Sequence, residues 1–285
     1  MTTRRPEPAA APRGRESTAA PDAHRRLARS SRVAPVYLRP LLAEARRLGL
    51  DTGMLFHGLD FGPDDLDLPG FMVTHHEASR VVRRAIRVFD NPNLGLELGM
   101  RSRITDRGVL ALGLLASPTL EAAITLSLRY PASAGFLLGV RELRLPQRHE
   151  LVADTLFDNH DLADFLVDKL FAGLVRQRRQ VCELDCSPLL VELMRAPPSN
   201  ALAHEDHFRC PVRFNCASNR LVFESRWLGL ALPMANAMSY KLAVDLLERE
   251  NERSANGSAL SLAVQQCLAD LVPHRPAQGR SVCAA

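Results

Sequence analysis

The apolar residues of this chain change their period at Pro131, and that change limits the folds open to it. Before it, hydrophobic positions recur every three to four residues, the period of helices with one buried face. After it, several short runs alternate or are continuously apolar, as strands are. The clearest helix begins at Thr74, which precedes Glu77 by three residues in capping-box spacing. Ala78, Val81, Val82, Ala85, Ile86 and Phe89 then form one stripe, with Arg80, Arg83, Arg84 and Arg87 mostly outside it. A basic face of this kind is first of all a solvated one. "PVYLRPLLAEARRLGL" reads as an earlier helix ending near Gly49. In "SPTLEAAITLSLRY", Ser117 is expected to cap a further helix, with Pro118 at its first position where a missing N–H costs nothing.

Beyond Pro131, "GVRELRLPQRHELVADTLF" holds two partly alternating runs around residues 146–149, which predicts a β-hairpin. Leu162, Phe165, Leu166, Leu170 and Leu174 return to helical spacing, and "LLVELMR", "VRF" and "RLVF" read as short strands. A last helix over 234–250 is expected to present Met238, Leu242 and Leu246 on one face. The fold class is therefore α+β: an N-terminal helical region, then a small sheet with packed helices.

Charge and composition divide the chain. Residues 1–32 hold eight arginines against three carboxylates, a net +5, so the remainder carries −1 of the total of +4. Residues 1–31 are rich in Arg, Pro and Ala and poor in large apolar groups, the composition of a disordered leader. Residues 32–251 form the body, and its charge gives no electrostatic signature for nucleic acid. Residues 252–260, with "NERSANGS" across the boundary, have the composition of a linker, and 261–285 follow. No apolar run approaches the ~20 residues that span a bilayer. No apolar stretch follows "TTRRP" as a signal peptide would require. The expected location is cytoplasmic, with the six cysteines reduced.

Few residues suggest chemistry. Cys182, Cys186, His204, His207, Cys210 and Cys216 are the types that bind zinc, but their spacing does not make paired knuckles. They are read as small buried cysteines with surface histidines. "HEDH" lacks the four-residue spacing of the metalloprotease helix. "DNPNLGLELG" lacks the lysine of a phosphate loop, "GPDDLDL" reads as a polar turn, and no G-x-S-x-G elbow occurs. Trp227 and the few aromatics make no stacking platform. The expectation is no catalytic residue, no metal, no cofactor and no enzyme activity, with the ligand contacts unassigned.

Three blocks carry a resemblance. "DNPNLGLELGM" is similar to D-P-x-L-G-L-x-x-G, and "GVLALGLLASPTLEAAITLSLRY" to G-x-L-G…S-x-T-L-x-x-A-L…R-Y. "APPSNALAHEDHFRCPVRFNCASNRLVFESRWLGLALP" is similar to P…F-G-C-P-V-x-F-x-A-x-x-N-x-L-x-F-x-x-x-x-L-x-x-P-L. In this order they resemble the arabinose-binding-like N-terminal effector domain of AraC/XylS-type transcriptional regulators. Gly95, Gly99, Gly108, Thr119, Arg129, Tyr130, Pro211, Phe214, Asn219, Leu221 and Phe223 match, whereas Arg209 and His204 stand where Gly and Tyr are common. The resemblance implies an effector-sensing and dimerisation domain with a small cytoplasmic metabolite as ligand. Its partner would be a second copy or a full-length relative. It further implies that "SLAVQQCLADLV" is a remnant of the first helix of a helix-turn-helix domain, so that this chain alone does not bind DNA specifically. The alternatives are a small-molecule-metabolising enzyme, which would need convergent titratable groups in a pocket, and a stand-alone protein-interaction module.

Overall fold

The computed structural model of the protein describes residues 26–255. The expectations for 1–25 and for 256–285, including the proposed helix remnant, lie outside the described residues. Residues 26–30 form a helical turn with Ala28 buried, so part of the expected leader belongs to the body. A two-stranded antiparallel ribbon follows, pairing β1 (Arg32–Val33) with β2 (Val73–Thr74).

The helical region comprises α1 (Leu38–Arg47), α2 (Gly53–Phe56), α3 (His75–Phe89), α4 (Leu94–Met100), α5 (Val109–Ala116) and α6 (Leu120–Arg129). The capping box of α3 is formed: Glu77 N–H donates to Thr74 Oγ1 at 3.2 Å, and Thr74 N–H donates to Glu77 Oε2 at 2.8 Å. Ala78, Val81, Val82 and Ala85 are buried as the periodicity requires. The cap of α6 is a correction. Thr119, not Ser117, accepts from Ala122 N–H at 3.2 Å. The Ser117 hydroxyl is buried and donates to the Gly113 carbonyl at 2.7 Å, one turn back, so it closes α5 instead.

The sheet has five strands: β3 (Leu138–Arg144), β4 (Arg148–Thr155), β5 (Leu190–Glu192), β6 (Val212–Arg213) and β7 (Asn219–Glu224). Their order is β3-β4-β7-β5-β6, with β5 and β6 parallel and the other neighbours antiparallel. The expected hairpin runs from Leu138 opposite Thr155 to Arg144 opposite His149, which places His149 in a strand rather than in the turn.

Helix α7 (Ala163–Cys182) is the spine of the core. It makes its most extensive contact with α4, where two glycines one turn apart allow close approach. A Cβ at Gly95 would lie 2.4 Å from the Phe165 carbonyl oxygen, and one at Gly99 would lie 2.6 Å from Ala172 Cβ. The short α8 (Leu202–Phe208) ends at Arg209, whose φ of 56° is the left-handed conformation that glycine tolerates best. That accounts for the glycine common there in the resembling sequences.

Helix α9 (Ala237–Ala255) packs against α5. It continues through Ala255, into the segment whose composition suggested a linker. Its buried residues are Ala243 and Leu247, whereas Met238 and Leu242 are 83% and 54% exposed. The expected apolar face exists but points outward, because α5 meets the neighbouring face of the helix. Among the described residues, no helix is long and apolar enough to cross a membrane.

Candidate functional site

Two helix faces and two strands line a pocket of about 70 Å³. Helix α6 contributes Leu120, Ala123, Ile124 and Ser127, and α7 contributes Leu174, Gln177, Arg178 and Val181. Both sets have the i, i+3, i+4, i+7 spacing that places side chains on one helical face. Leu151 of β4 and Phe223 of β7 form the floor, and Ile104, Arg107 and Leu114 complete the wall. The lining is apolar apart from Ser127, Gln177 and two arginines.

The arginines differ in how they are served. Arg107 is buried; its Nε donates to Gln177 Oε1 at 2.6 Å and its Nη1 to the Ala134 carbonyl at 2.7 Å. Desolvation brings its pKa down to about 10, so it remains charged at neutral pH. Arg178 is 7% exposed, with its guanidinium carbon 4.0 Å from the Phe223 ring centroid. Its Nη1 lies 3.2 Å from His149 Nε2. Burial, then Arg178 and Arg144, push the His149 pKa down to about 3, so the neutral ring accepts that hydrogen bond. His149 in turn stacks on Phe223, centroids 5.2 Å apart and planes 16° apart.

A larger cleft of about 930 Å³ lies between residues 32–39, 67–72 and 106–109. It is lined by charges of both signs, including Arg39 and Asp67, which pair at 3.6 Å. Arg107 borders both spaces. The smaller pocket is the better-built site, because its polar groups are few, three of the four are buried, and the rest of its lining is apolar.

Lys169, one turn before Gly173, is buried with its Nζ 4.0 Å over the Tyr37 ring and 3.4 Å from the Val36 carbonyl. Desolvation, then the nearby charge of Arg107, lower its pKa from 10.5 to about 7, partly opposed by Asp106. The native state thus binds this proton less tightly than the unfolded chain, and the contribution of Lys169 to stability rises with pH between about 7 and 10.5. His75, His149 and His207 are depressed chiefly by burial to about 4, 3 and 4, so stability falls as pH drops below 6.5. Melting temperature should therefore climb toward pH 6.5 and again from about 7 to 9, above which the raised thiols of Cys182 and Cys210 act in the opposite sense, and Lys169→Met should flatten the second climb alone. A variant whose curve still climbs above pH 7 as the parent does would contradict this assignment.

The cysteines and histidines considered for zinc are dispersed. Cys182 and Cys186 lie at and beyond the end of α7, His204 and His207 on α8, and Cys210 just after it. Burial, reinforced by Cys186, raises the Cys182 pKa to about 12, and burial raises Cys210 to about 11, so both thiols are protonated. Among the described residues, no group of three His, Cys, Asp or Glu side chains could hold a metal ion. His204 and His207 are buried, not on the surface as expected. His204 Nε2 lies 3.2 Å from Asp168, which also pairs with Arg195, and His207 Nε2 lies 3.1 Å from the Ala172 carbonyl. Cys182, Cys186 and Cys210 are free, but Cys216 is disulfide-bonded, which corrects the expectation of six reduced cysteines. A compartment sets the average redox state of thiols and does not decide for each one.

Sequence reasoning missed the cavity's polar residues. A signal was present: extending the apolar phase of α7 through Leu174 and Val181 carries Gln177 and Arg178 onto the buried face.

The chain matches, over residues 49–232, the family of arabinose-binding N-terminal domains of AraC transcription regulators. An HTH-type transcriptional regulator of Mycobacterium bovis is 24% identical over 241 residues, covering 79% of this chain and 68% of that one. The same figures hold for an HTH-type regulator of Mycobacterium tuberculosis. The ornithine utilization regulator of Pseudomonas aeruginosa is 24% identical over 217 residues, 75% of this chain and 63% of its own length. The fold is similar to that of the transcriptional regulator CdpR from Pseudomonas aeruginosa, with a TM-score of 0.58 and 19% identity over 84% of this chain and 72% of that one.

Proposed function

The chain belongs to the arabinose-binding N-terminal domain family of AraC transcription regulators, and we propose that it is the effector-sensing and dimerisation part of such a regulator, acting in the cytoplasm. The observation that carries this reading is the cavity between α6, α7 and the sheet, which falls within the matched residues. Its lining offers hydrogen-bond donors and apolar surface but no carboxylate. His149, behind Arg178, is held neutral and already accepts a hydrogen bond. That inventory suits binding better than acid–base catalysis.

A route from ligand to output follows from the packing. Helix α6 forms one wall of the cavity, and Arg129 at its end pairs with Glu248 of α9 at 2.8 Å. A ligand that prefers one seating of α6 would bias α9 by that difference in affinity. The outward stripe of α9, Met238 and Leu242, is apolar and suited to a second copy of itself, as a two-fold interface requires.

The test is a thermal-shift screen against a defined library of sugars, amino acids and organic acids, run on the chain and on Ala123→Phe, which fills the cavity. At least one compound is expected to raise Tm in the parent and to lose that effect in the variant. The same samples are expected to sediment as dimers. A library without effect on the parent, or a compound acting equally on both proteins, would contradict the sensing site, and a monomer would contradict the dimer.

A further inference from the structure

A third pocket, of about 380 Å³, lies between the helical turn at residues 26–30, α3 and the segment that follows β4. Two of its lining residues, Ser79 and Asn159, are buried, at 4% and 6% exposed. Three others, Arg29, His76 and Arg83, are basic and reach solvent. His76, Ser79 and Arg83 share one face of α3 through their i, i+3, i+7 spacing.

The buried pair is joined internally but incomplete. Asn159 Nδ2 donates to Ser79 Oγ at 2.9 Å. Asn159 Oδ1 does not cap the turn it begins, and among the described residues it accepts no hydrogen bond while the Ser79 hydroxyl donates none. Oδ1 is not among the atoms sealed from solvent, so a molecule in the pocket can reach it. Beside it, Phe157 has a φ of 57°. A bulky side chain is strained in that left-handed conformation, and such strain gathers at ligand sites.

The charge around the pocket is mainly positive. Arg29 has no ion pair among the described residues. Arg83 gives Nε and Nη2 to Asp161, at 2.5 and 2.9 Å, and Nη1 remains for another acceptor. Burial, then the charges of Arg29 and Arg80, hold the His76 pKa below its ordinary value; Arg83 adds to this and Glu77 opposes it. Asp158 is the single carboxylate of the described lining, and it is exposed.

We propose that this pocket binds a small phosphorylated metabolite, with its phosphate on Arg29, Arg83 and Ser79 and a hydroxyl of its carrier donating to Asn159 Oδ1. A tetrahedral anion takes donors from several directions, and these come from two different elements; guanidinium groups suit phosphate oxygens in particular. The volume of about 380 Å³ leaves room beside the phosphate for a carrier of a few carbons. The site does not depend on the sensing reading.

The probes are glycerol phosphate, inorganic phosphate and glycerol, added to the full chain at neutral pH with ionic strength held constant by chloride. Glycerol phosphate is expected to raise Tm saturably at millimolar concentration. It is also expected to raise the His76 pKa, followed by the NMR signals of the ring, because a bound anion offsets the arginine charges. Inorganic phosphate should do both more weakly, and glycerol neither. Arg29→Gln should weaken binding of the ester by about tenfold or more, the loss of one charge-assisted contact. Phosphate as effective as its ester would overturn the assignment to a phosphorylated metabolite. A Tm rise that survives Arg29→Gln, or that leaves His76 unmoved as phosphate gathered by the arginines of residues 1–25 would, overturns the site itself. No response to either phosphate overturns it equally.

Discussion

Gly99→Val is expected to bring the domain close to unfolding. Helices α4 and α7 meet across Gly95 and Gly99, and there is no room for a side chain on either. A Cβ at position 99 would lie 2.6 Å from Ala172 Cβ, 2.8 Å from the Lys169 carbonyl oxygen and 3.0 Å from Gly173 N. Two of those three atoms are backbone of a buried helix, which cannot rotate away as a flexible side chain could. Overpacking a core typically costs about 1–3 kcal/mol and occasionally more, and rigid neighbours place this site at about 3 kcal/mol or above. Against a domain stability of about 5–15 kcal/mol, that is a large fraction. Urea unfolding should show a sharply lower midpoint for Gly99→Val. Gly62→Ala, where nothing lies within 4 Å of the added Cβ, should be nearly unchanged. Similar midpoints for the two variants would mean that α4 and α7 do not approach as described.

The second large effect is expected at Asp168, on the same stretch of α7. Its side chain is 1% exposed, pairs with Arg195 and lies 3.2 Å from His204 Nε2. Asp168→Ala would leave Arg195, itself only 10% exposed, with Asp164 at 3.8 Å, and that carboxylate is mostly in water. Breaking a buried pair by removing one partner typically costs about 3–5 kcal/mol, because the remaining charge is uncompensated. Removing both charges, in Asp168→Ala with Arg195→Met, should recover part of the loss. A double variant no more stable than Asp168→Ala would show that the pair is not the source of the effect. Asp168 Cβ also lies 3.1 Å from where a Gly95 Cβ would be, so changes at 95 and 168 should not add.

Local chemistry made parts of this fold readable in the sequence. Thr74 and Glu77 announced the start of α3 because a capping box is complete within four residues. The hairpin was readable because alternation and its turn are both local. Features set by distant packing were not. Ser117 has the residue type of an N-cap, but its hydroxyl found a closer acceptor in the preceding helix and left Thr119 to cap α6. Met238 and Leu242 form an apolar stripe by periodicity, yet periodicity does not say which face α5 will cover. Arg178 was hidden for the opposite reason. Within "RQRRQ" every residue resembles a solvated face, and only the helical phase fixed by Leu174 and Val181 turns Gln177 and Arg178 inward.

The proposed function depends on a small molecule being sensed between α6, α7 and the sheet. Methyl NMR of the Ile-, Leu- and Val-labelled chain, titrated with any library compound that raises Tm, tests it most directly. The largest shifts are predicted at Ile104, Ile124, Leu151 and Val181, which line the cavity, with a smaller response at Leu247 on α9. Shifts confined to Val36, Leu68 and Val109 of the larger cleft, with the methyls of the smaller pocket unmoved, would contradict it.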